Sequence, residues 1–398
     1  MKDDVQQVKK AQQAQQRVAE LLNQGLIEAG ISKARALGEV FPKTADINNF
    51  LGNVEEQFGD AERALKAYSE CIRIQPSNPK AYISLGYLCA NLQKHTDAIV
   101  LFSFVLDMAP NWFTQPKSFG FSENFFNKLV YAGRALVQFY TQQHSQALTE
   151  NPKVQRIASA IWPQTHLQPF DYNTPRQMPH LFYIPDLTAV PIWDVSKFTW
   201  VPDLIAQHSF IKSELSSVIT QLDSVARPYL DNHFSAEDFE ALAGKQTWTA
   251  LDLYKEGELS TFAKQYFPKT IEILSKLPLA ARGGLPDEVF FSILKAGQEI
   301  PPHYGLSNHS LTCHLGIDVP SDCELSVGDE IYQWQDAEVL VFDDTFIHSA
   351  RNNSSHTRIV LLFSIWHPDL SEEEVQAIKR TFNSRQAWLQ GRVVPSFI

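Results

Sequence analysis

A helical-repeat half followed by a mainly-β half is the fold class this sequence predicts, and three observations carry it. Prolines recur at Pro42, Pro76 and Pro110, each 34 residues from the next. From Leu181 onward the texture changes to short apolar runs broken by Pro, Gly and Asp. Between the two halves, residues 150–180 are rich in Pro, Gln and Thr, the composition of a linker. A length of 398 residues fits two or three domains at roughly 100–200 residues each, and 44% apolar residues supply a sizeable core.

The segments between the prolines match in detail. Leu51-Gly52 recurs as Leu85-Gly86, Ala64 as Ala98, and Tyr68 as Phe102. This is the period of the tetratricopeptide repeat, in which small residues let two helices pack closely and a proline ends the second helix. Two repeats fall at 45–78 and 79–112, and a degenerate one ends at Pro42, with Gly30 and Ala34 where Ala64 and Tyr68 stand later. The helical stretch 122–148 adds a further pair or a cap. The repeated Leu, Ala and Tyr positions read as core. Functionally, such a repeat implies a concave surface for a peptide or partner without naming it.

The apolar runs LFYIPDL, VFFSIL, HLGIDV, CELSVGD, VLVFDD and RIVLLFSIW are each too short to stand alone, so a closed or sandwiched antiparallel sheet is expected. A helical stretch at 203–230 interrupts them. A last helix opens with Ser371 and Glu374 in capping-box spacing. The expected domains are a tetratricopeptide-like repeat at 1–150, a linker at 151–180, a β domain at 181–370, and a C-terminal helix and tail at 371–398.

Composition excludes several functions. A net charge of −11 disfavours an unassisted nucleic-acid binder, since a polyanion is held by Lys and Arg. Cys71, Cys89, Cys313 and Cys323 form no C-x-x-C pair, which argues against a zinc ribbon or a thioredoxin-type couple and fits a reducing compartment. The start, MKDDVQQVKKAQQAQQR, is polar and does not read as a signal peptide. The longest apolar stretches, such as 98–106, fall far short of the roughly 18 residues a membrane helix needs. The expected location is the cytoplasm, with no transmembrane segment.

Five of the 12 histidines lie between residues 303 and 356: His303, His309, His314, His348 and His356. A lone strand histidine is usually a satisfied surface or core residue. His303, however, follows Pro301-Pro302, and His348 follows VLVFDDTF, where a buried strand ends and the chain turns back. Two histidines at strand ends can converge on one metal, and the absence of thiolates points to iron.

HYG, HLGIDVP, W-x-D-x-E-V-L-V-F-D-D-T-F-I-H and RIVLLFSIWHP, in that order across 181–368, resemble the aspartyl/asparaginyl β-hydroxylase family. Trp248-Thr249 and Pro268-Lys269-Thr270 add to the likeness, and repeats ahead of the catalytic domain resemble the arrangement of the family's animal peptidyl hydroxylase. The resemblance implies a double-stranded β-helix (jelly-roll or cupin-like) and an oxygenase using Fe(II), 2-oxoglutarate and O2. It makes His303 and His348 the iron ligands, with Gly305 where the wider superfamily has an acid, so that a position stays open to water or halide. Arg358 would bind the distal carboxylate of 2-oxoglutarate, a planar fork on a carboxylate, helped by the Ser292 hydroxyl. His314 would contact the keto-acid end. Thr312 departs from the pattern, because the family's peptide hydroxylases carry a basic residue there. Asp343 and Asp344 read as turn formers.

The implied reaction is hydroxylation of an unactivated carbon, most directly an Asp/Asn-type side chain of a protein or peptide engaged by the repeats, with succinate and CO2 as coproducts. The alternatives are hydroxylation of a lipid acyl chain or of a carrier-bound or small amino acid, and a non-catalytic tetratricopeptide adaptor.

Overall fold

A computed structural model describes residues 2–148, 152–165, 170–231 and 239–398. The chain forms two compact units, one of residues 1–143 with 387–398, the other of residues 144–386.

In the first unit, helices follow one another as α1 (Lys2–Asn23), α2 (Ile27–Val40), α3 (Ala45–Phe58), α4 (Ala61–Ile74), α5 (Pro79–Asn91), α6 (His95–Met108), a short α7 (Asn111–Thr114) and α8 (Glu123–Ala147). The repeated sequence positions are contact pairs. A Cβ on Gly52 would lie 2.6 Å from the Tyr68 ring, and one on Gly86 would lie 2.5 Å from the Phe102 ring. Glycine in the first helix and an aromatic ring in the second are therefore one packing solution used twice. Ala64 and Ala98 are buried at the same crossings. Each repeat proline stands two residues past the end of α2, α4 or α6, where no further backbone N–H is required. Residues 122–148 give one long helix rather than a pair. Its Leu129, Ala132, Leu136 and Tyr140 bury one face, and Trp388 caps that face, 4.8 Å from the Phe139 ring and 5.5 Å from Tyr140.

In the second unit, β5 (Glu288–Leu294), β7 (Ser310–Asp318), β10 (Val339–Phe342) and β12 (Arg358–Trp366) lie in one antiparallel sheet. Its order is β10-β7-β12-β5, extended by β1 (Ile192–Trp193), β2 (Arg227–Pro228), β3 (Trp248–Lys255) and β4 (Glu258–Leu259). The strands β6 (Glu299–His303), β8 (Cys323–Val327), β9 (Glu330–Gln333) and β11 (His348–Asn352) form the second sheet, ordered β6-β11-β8-β9. From β5 to β12 the chain winds back and forth between the two sheets, which is the double-stranded β-helix.

Period-two alternation divides the larger sheet. Val289, Phe291 and Ile293 on β5, Leu311, Cys313 and Leu315 on β7, and Ile359, Leu361 and Phe363 on β12 pack against short helices from 201–225 and 261–274. Ser292, Thr312, His314 and Arg358, out of phase with these, take the face toward the second sheet.

The stretch 203–230 is a series of short helices, not one. Ser216 and Ser217 hydrogen-bond back to the carbonyls of Lys212 and Glu214, both at 2.7 Å, and β-branched Val218, Ile219 and Thr220 follow, so propagation stops. Within 151–180, Val154, Ile157 and Trp162 are buried against Phe182, Ala377 and Phe382. The capping box forms as spaced: Ser371 N donates to Glu374 Oε2 at 2.9 Å, and Glu374 N donates to Ser371 Oγ at 3.2 Å. No helix among the described residues is long and apolar enough to cross a membrane.

Candidate active site

The last residue of β6 and the first of β11 are register partners, His303 opposite His348. Antiparallel pairing thus sets the two imidazoles side by side, with ring centroids 4.0 Å apart. His303 Nδ1 lies 2.8 Å from the Pro301 carbonyl and His348 Nδ1 lies 3.0 Å from that of Phe346. A carbonyl only accepts, so each Nδ1 carries the proton and each Nε2 keeps its lone pair for a ligand. Burial pushes both rings down to about 4, with His348 a further cause at His303, so both are neutral at physiological pH. Among the described residues no group of three or more His, Cys, Asp or Glu side chains is arranged to hold a metal. The histidine pair is what a cation would meet.

Arg358, at the head of β12, is only 1% exposed. Its hydrogen bond is a long one, Nη1 to Ser292 Oγ at 3.5 Å, and its Nε has no partner. The guanidinium lies 4.8 Å over the Trp334 ring. Burial lowers it to about 10, which still leaves it charged. A buried cation with no carboxylate beside it is costly unless an anionic ligand completes it. His314 repeats the pattern on a smaller scale. Its Nδ1 accepts from Trp334 Nε1 at 3.2 Å, so its Nε2 bears the hydrogen, and that Nε2 is buried without a partner. Ser292 Oγ in turn accepts from Trp248 Nε1 at 3.3 Å. Arg358, His314 and Ser292 therefore present donors suited to a carboxylate, and they fit a keto-diacid.

All five residues line one cavity of about 590 Å³, a volume in the range of small-molecule sites. His309 also borders it, with Nδ1 in a short contact to Ser307 Oγ. His356 is exposed and stands apart. Among the described lining residues, Arg282 and Arg358 are the cations, and Arg282 is paired with Asp287 at 2.8 Å.

The two aspartates of the FDD turn have separate fates. Asp343 is buried and behaves as a turn former, accepting from Thr345 N at 3.0 Å and Gln177 Nε2 at 2.8 Å. Asp344 does more, because it lines the cavity and accepts from Thr312 Oγ1 at 3.0 Å. Burial raises it to about 6. Its carboxylate fills the space a side chain at Gly305 would need, and a Cβ there would fall directly on it. Position 305 thus leaves no room for an acid, because the Asp344 carboxylate already takes that space, and the sequence signal for Asp344 is its place four residues before His348. Gly305→Asp is accordingly expected to weaken any binding of Fe(II) at the histidine pair rather than supply a third ligand, since overpacking costs about 1–3 kcal/mol. Iron affinity equal to or above wild type in that variant, measured by anaerobic titration, would contradict the steric account.

Residues 206–368 match the family model described as aspartyl/asparaginyl beta-hydroxylase, and residues 45–78 match a tetratricopeptide repeat. Aspartyl/asparaginyl beta-hydroxylase of Homo sapiens is 23% identical over 358 residues, 89% of this chain and 42% of that protein. Aspartate beta-hydroxylase domain-containing protein 2 of Xenopus tropicalis is 28% identical over 210 residues, 52% of this chain and 55% of its own. Ornithine lipid ester-linked acyl 2-hydroxylase of Rhizobium tropici is 27% identical over 181 residues, 45% of this chain and 61% of its own. The chain thus spans 42% to 61% of the length of these relatives. Residues 206–368 are thus similar to an aspartyl/asparaginyl beta-hydroxylase domain, and residues 45–78 before them to a tetratricopeptide repeat.

Proposed function

We propose that the chain is an Fe(II)- and 2-oxoglutarate-dependent hydroxylase acting on an Asp/Asn-type side chain of a protein or peptide. The observation that carries this reading is the buried, uncompensated Arg358 in one cavity with two neutral histidines whose Nε2 lone pairs are free. His303 and His348 would hold the iron, while Arg358, Ser292 and His314 would hold 2-oxoglutarate. Bound together with O2, these groups supply the oxidising power to insert one oxygen atom into a C–H bond, with succinate and CO2 as coproducts. The protein's own part is to orient and to exclude water. The Nδ1 hydrogen bonds to Pro301 and Phe346 fix each imidazole, and Trp334 and Trp248 fix His314 and Ser292. The four buried, unpaired cysteines support a reducing, cytoplasmic setting.

One observation favours a second reading. With Arg358 taken by 2-oxoglutarate, Thr312 bonded to Asp344, and Arg282 paired with Asp287, no further cation among the described lining residues awaits a substrate carboxylate. An uncharged target, Asn rather than Asp or an acyl chain, fits such a wall best. Anaerobic addition of Fe(II) and 2-oxoglutarate is expected to produce a charge-transfer band near roughly 500 nm. A protein that binds neither would be an adaptor, and the hydroxylase reading would fall.

A further inference from the structure

His303 and His348 form the terminal rung of the β6–β11 ladder, and the register shifts between His348 and Ala350, immediately inside that rung. His303 also lies on β6, the edge of its sheet. Chain ends and ladder ends open first, so strand pairing leaves the two imidazoles at the weakest place in the ladder. Beyond the rung the chain leaves both strands as loops, 304–309 after His303 and 343–347 before His348. Gly305 N donates to the Asp344 carbonyl at 2.6 Å and joins one loop to the other.

A segment from elsewhere in the same unit, residues 177–184, binds both loops. On the His348 side, Gln177 Nε2 donates to Asp343 Oδ2 at 2.8 Å, and Met178 N donates to the Thr345 carbonyl at 2.9 Å. Asp343 Oδ1 accepts from Thr345 N at 3.0 Å, and Phe346 N donates to the Asp343 carbonyl at 3.3 Å, which closes the turn. The Phe346 carbonyl at the end of that turn is the acceptor for His348 Nδ1. On the His303 side, Leu181 N and Phe182 N donate to the Leu306 carbonyl at 2.9 and 3.2 Å. The Asn308 carboxamide accepts from Ile184 N and donates to the Ile184 carbonyl, both at 2.8 Å, as a neighbouring strand would. Between these anchorages the His180 ring meets Tyr304 edge-on, 5.8 Å between centroids. Gln177 and Asn308 are each 1% exposed, so water cannot replace a bond that either one loses.

We propose that residues 177–184 are a positioning strap for the His303–His348 pair, with Gln177 and Asn308 as its positioning residues. The assignment rests on the reading of that pair as the metal ligands. Core packing accounts for part of the segment, since Phe182 and Ile184 belong to an apolar cluster with Trp162 and Phe382. It does not account for Gln177, whose Oε1 is buried without a partner and whose Nε2 is spent on the turn before His348. A purely packing role at that position would be filled at lower cost by an apolar side chain. Outer hydrogen bonds commonly orient metal ligands, and here they act through the two loops rather than on the imidazoles themselves. The strap lies outside residues 206–368, the part that matches the hydroxylase model, so the histidines within that part depend on a segment ahead of it.

The test uses Gln177→Met and Asn308→Leu in the full-length protein, which keep side-chain volume and remove the hydrogen bonds. Without metal, each is expected to speed amide hydrogen exchange at least tenfold across 304–309 and 343–349, with the middle of β7 and β12 unchanged. Each should also weaken Co(II) binding at least tenfold and alter the visible d–d spectrum of the bound ion. Should Asn308→Leu fail to fold, Gln177→Met still decides, because it breaks a single side-chain hydrogen bond. Unchanged exchange in the two loops would overturn the proposal. So would an equal rise in β7 and β12, which would reduce the segment to a part of the core, or loosened loops in variants that bind Co(II) as tightly as a binding wild type. Loosened loops together with wild-type protein that binds no Co(II), or binds it equally well after His303→Ala, would keep the strap and remove the metal reading instead.

Discussion

Replacing Arg358 with methionine is expected to raise the 2-oxoglutarate requirement by about 30- to 4,000-fold while leaving iron affinity nearly unchanged. The range corresponds to the about 2–5 kcal/mol lost when one partner of a buried charge pair is removed. The same variant has an opposite effect on the empty protein. Without an anion, Arg358 is a buried charge whose Nε is unpartnered and whose hydrogen bond to Ser292 is long. A side chain of similar volume and no charge removes that cost. The melting temperature without 2-oxoglutarate should therefore equal or exceed that of wild type, and the upward shift on adding 2-oxoglutarate should vanish. A wild-type response to 2-oxoglutarate, with affinity within about threefold or 0.7 kcal/mol, would mean that another residue holds the carboxylate.

His303→Ala and His348→Ala should each abolish iron binding and turnover while leaving far-ultraviolet circular dichroism unchanged. With two imidazoles and no third ligand side chain among the described residues, loss of either leaves a single protein donor. Stability should change little, because both rings border an open cavity rather than a filled core. Isothermal titration with Fe(II) under anaerobic conditions reads the effect directly. Iron affinity within tenfold of wild type in either variant would show that the metal sits elsewhere.

How much of this was legible in the sequence depends on whether the deciding contact was local. The 34-residue period was readable because Gly52 under Tyr68 and Gly86 under Phe102 are the same contact repeated, and repetition leaves a trace in sequence. The Ser371–Glu374 box was readable because its two hydrogen bonds join residues three apart. His303 and His348 stood out by their turn-forming neighbours, although only the β6–β11 register brings them together. Asp344 was passed over as a turn former because its place beside Gly305 and Thr312 comes from pairing between distant strands. Composition hid Val154, Ile157 and Trp162 within a stretch that reads as linker, since the many Pro, Gln and Thr residues around them outweigh one short apolar run at 154–162. The tetratricopeptide-like half likewise gave no sign that residues 387–398 belong to it.

That last feature bears on how the protein is made. A nascent chain emerges N-terminus first, at about 5–20 residues per second, and domains usually complete themselves in that order. Here Trp388 against Phe139 and Tyr140, and Arg392 paired with Asp107 at 2.7 Å, form only after all of residues 144–386 have been translated. The helical unit begins first and finishes second. For on the order of ten to fifty seconds at those rates, the Phe139–Tyr140 face of α8 waits on the ribosome without its tryptophan cover, while the β unit is still being synthesised.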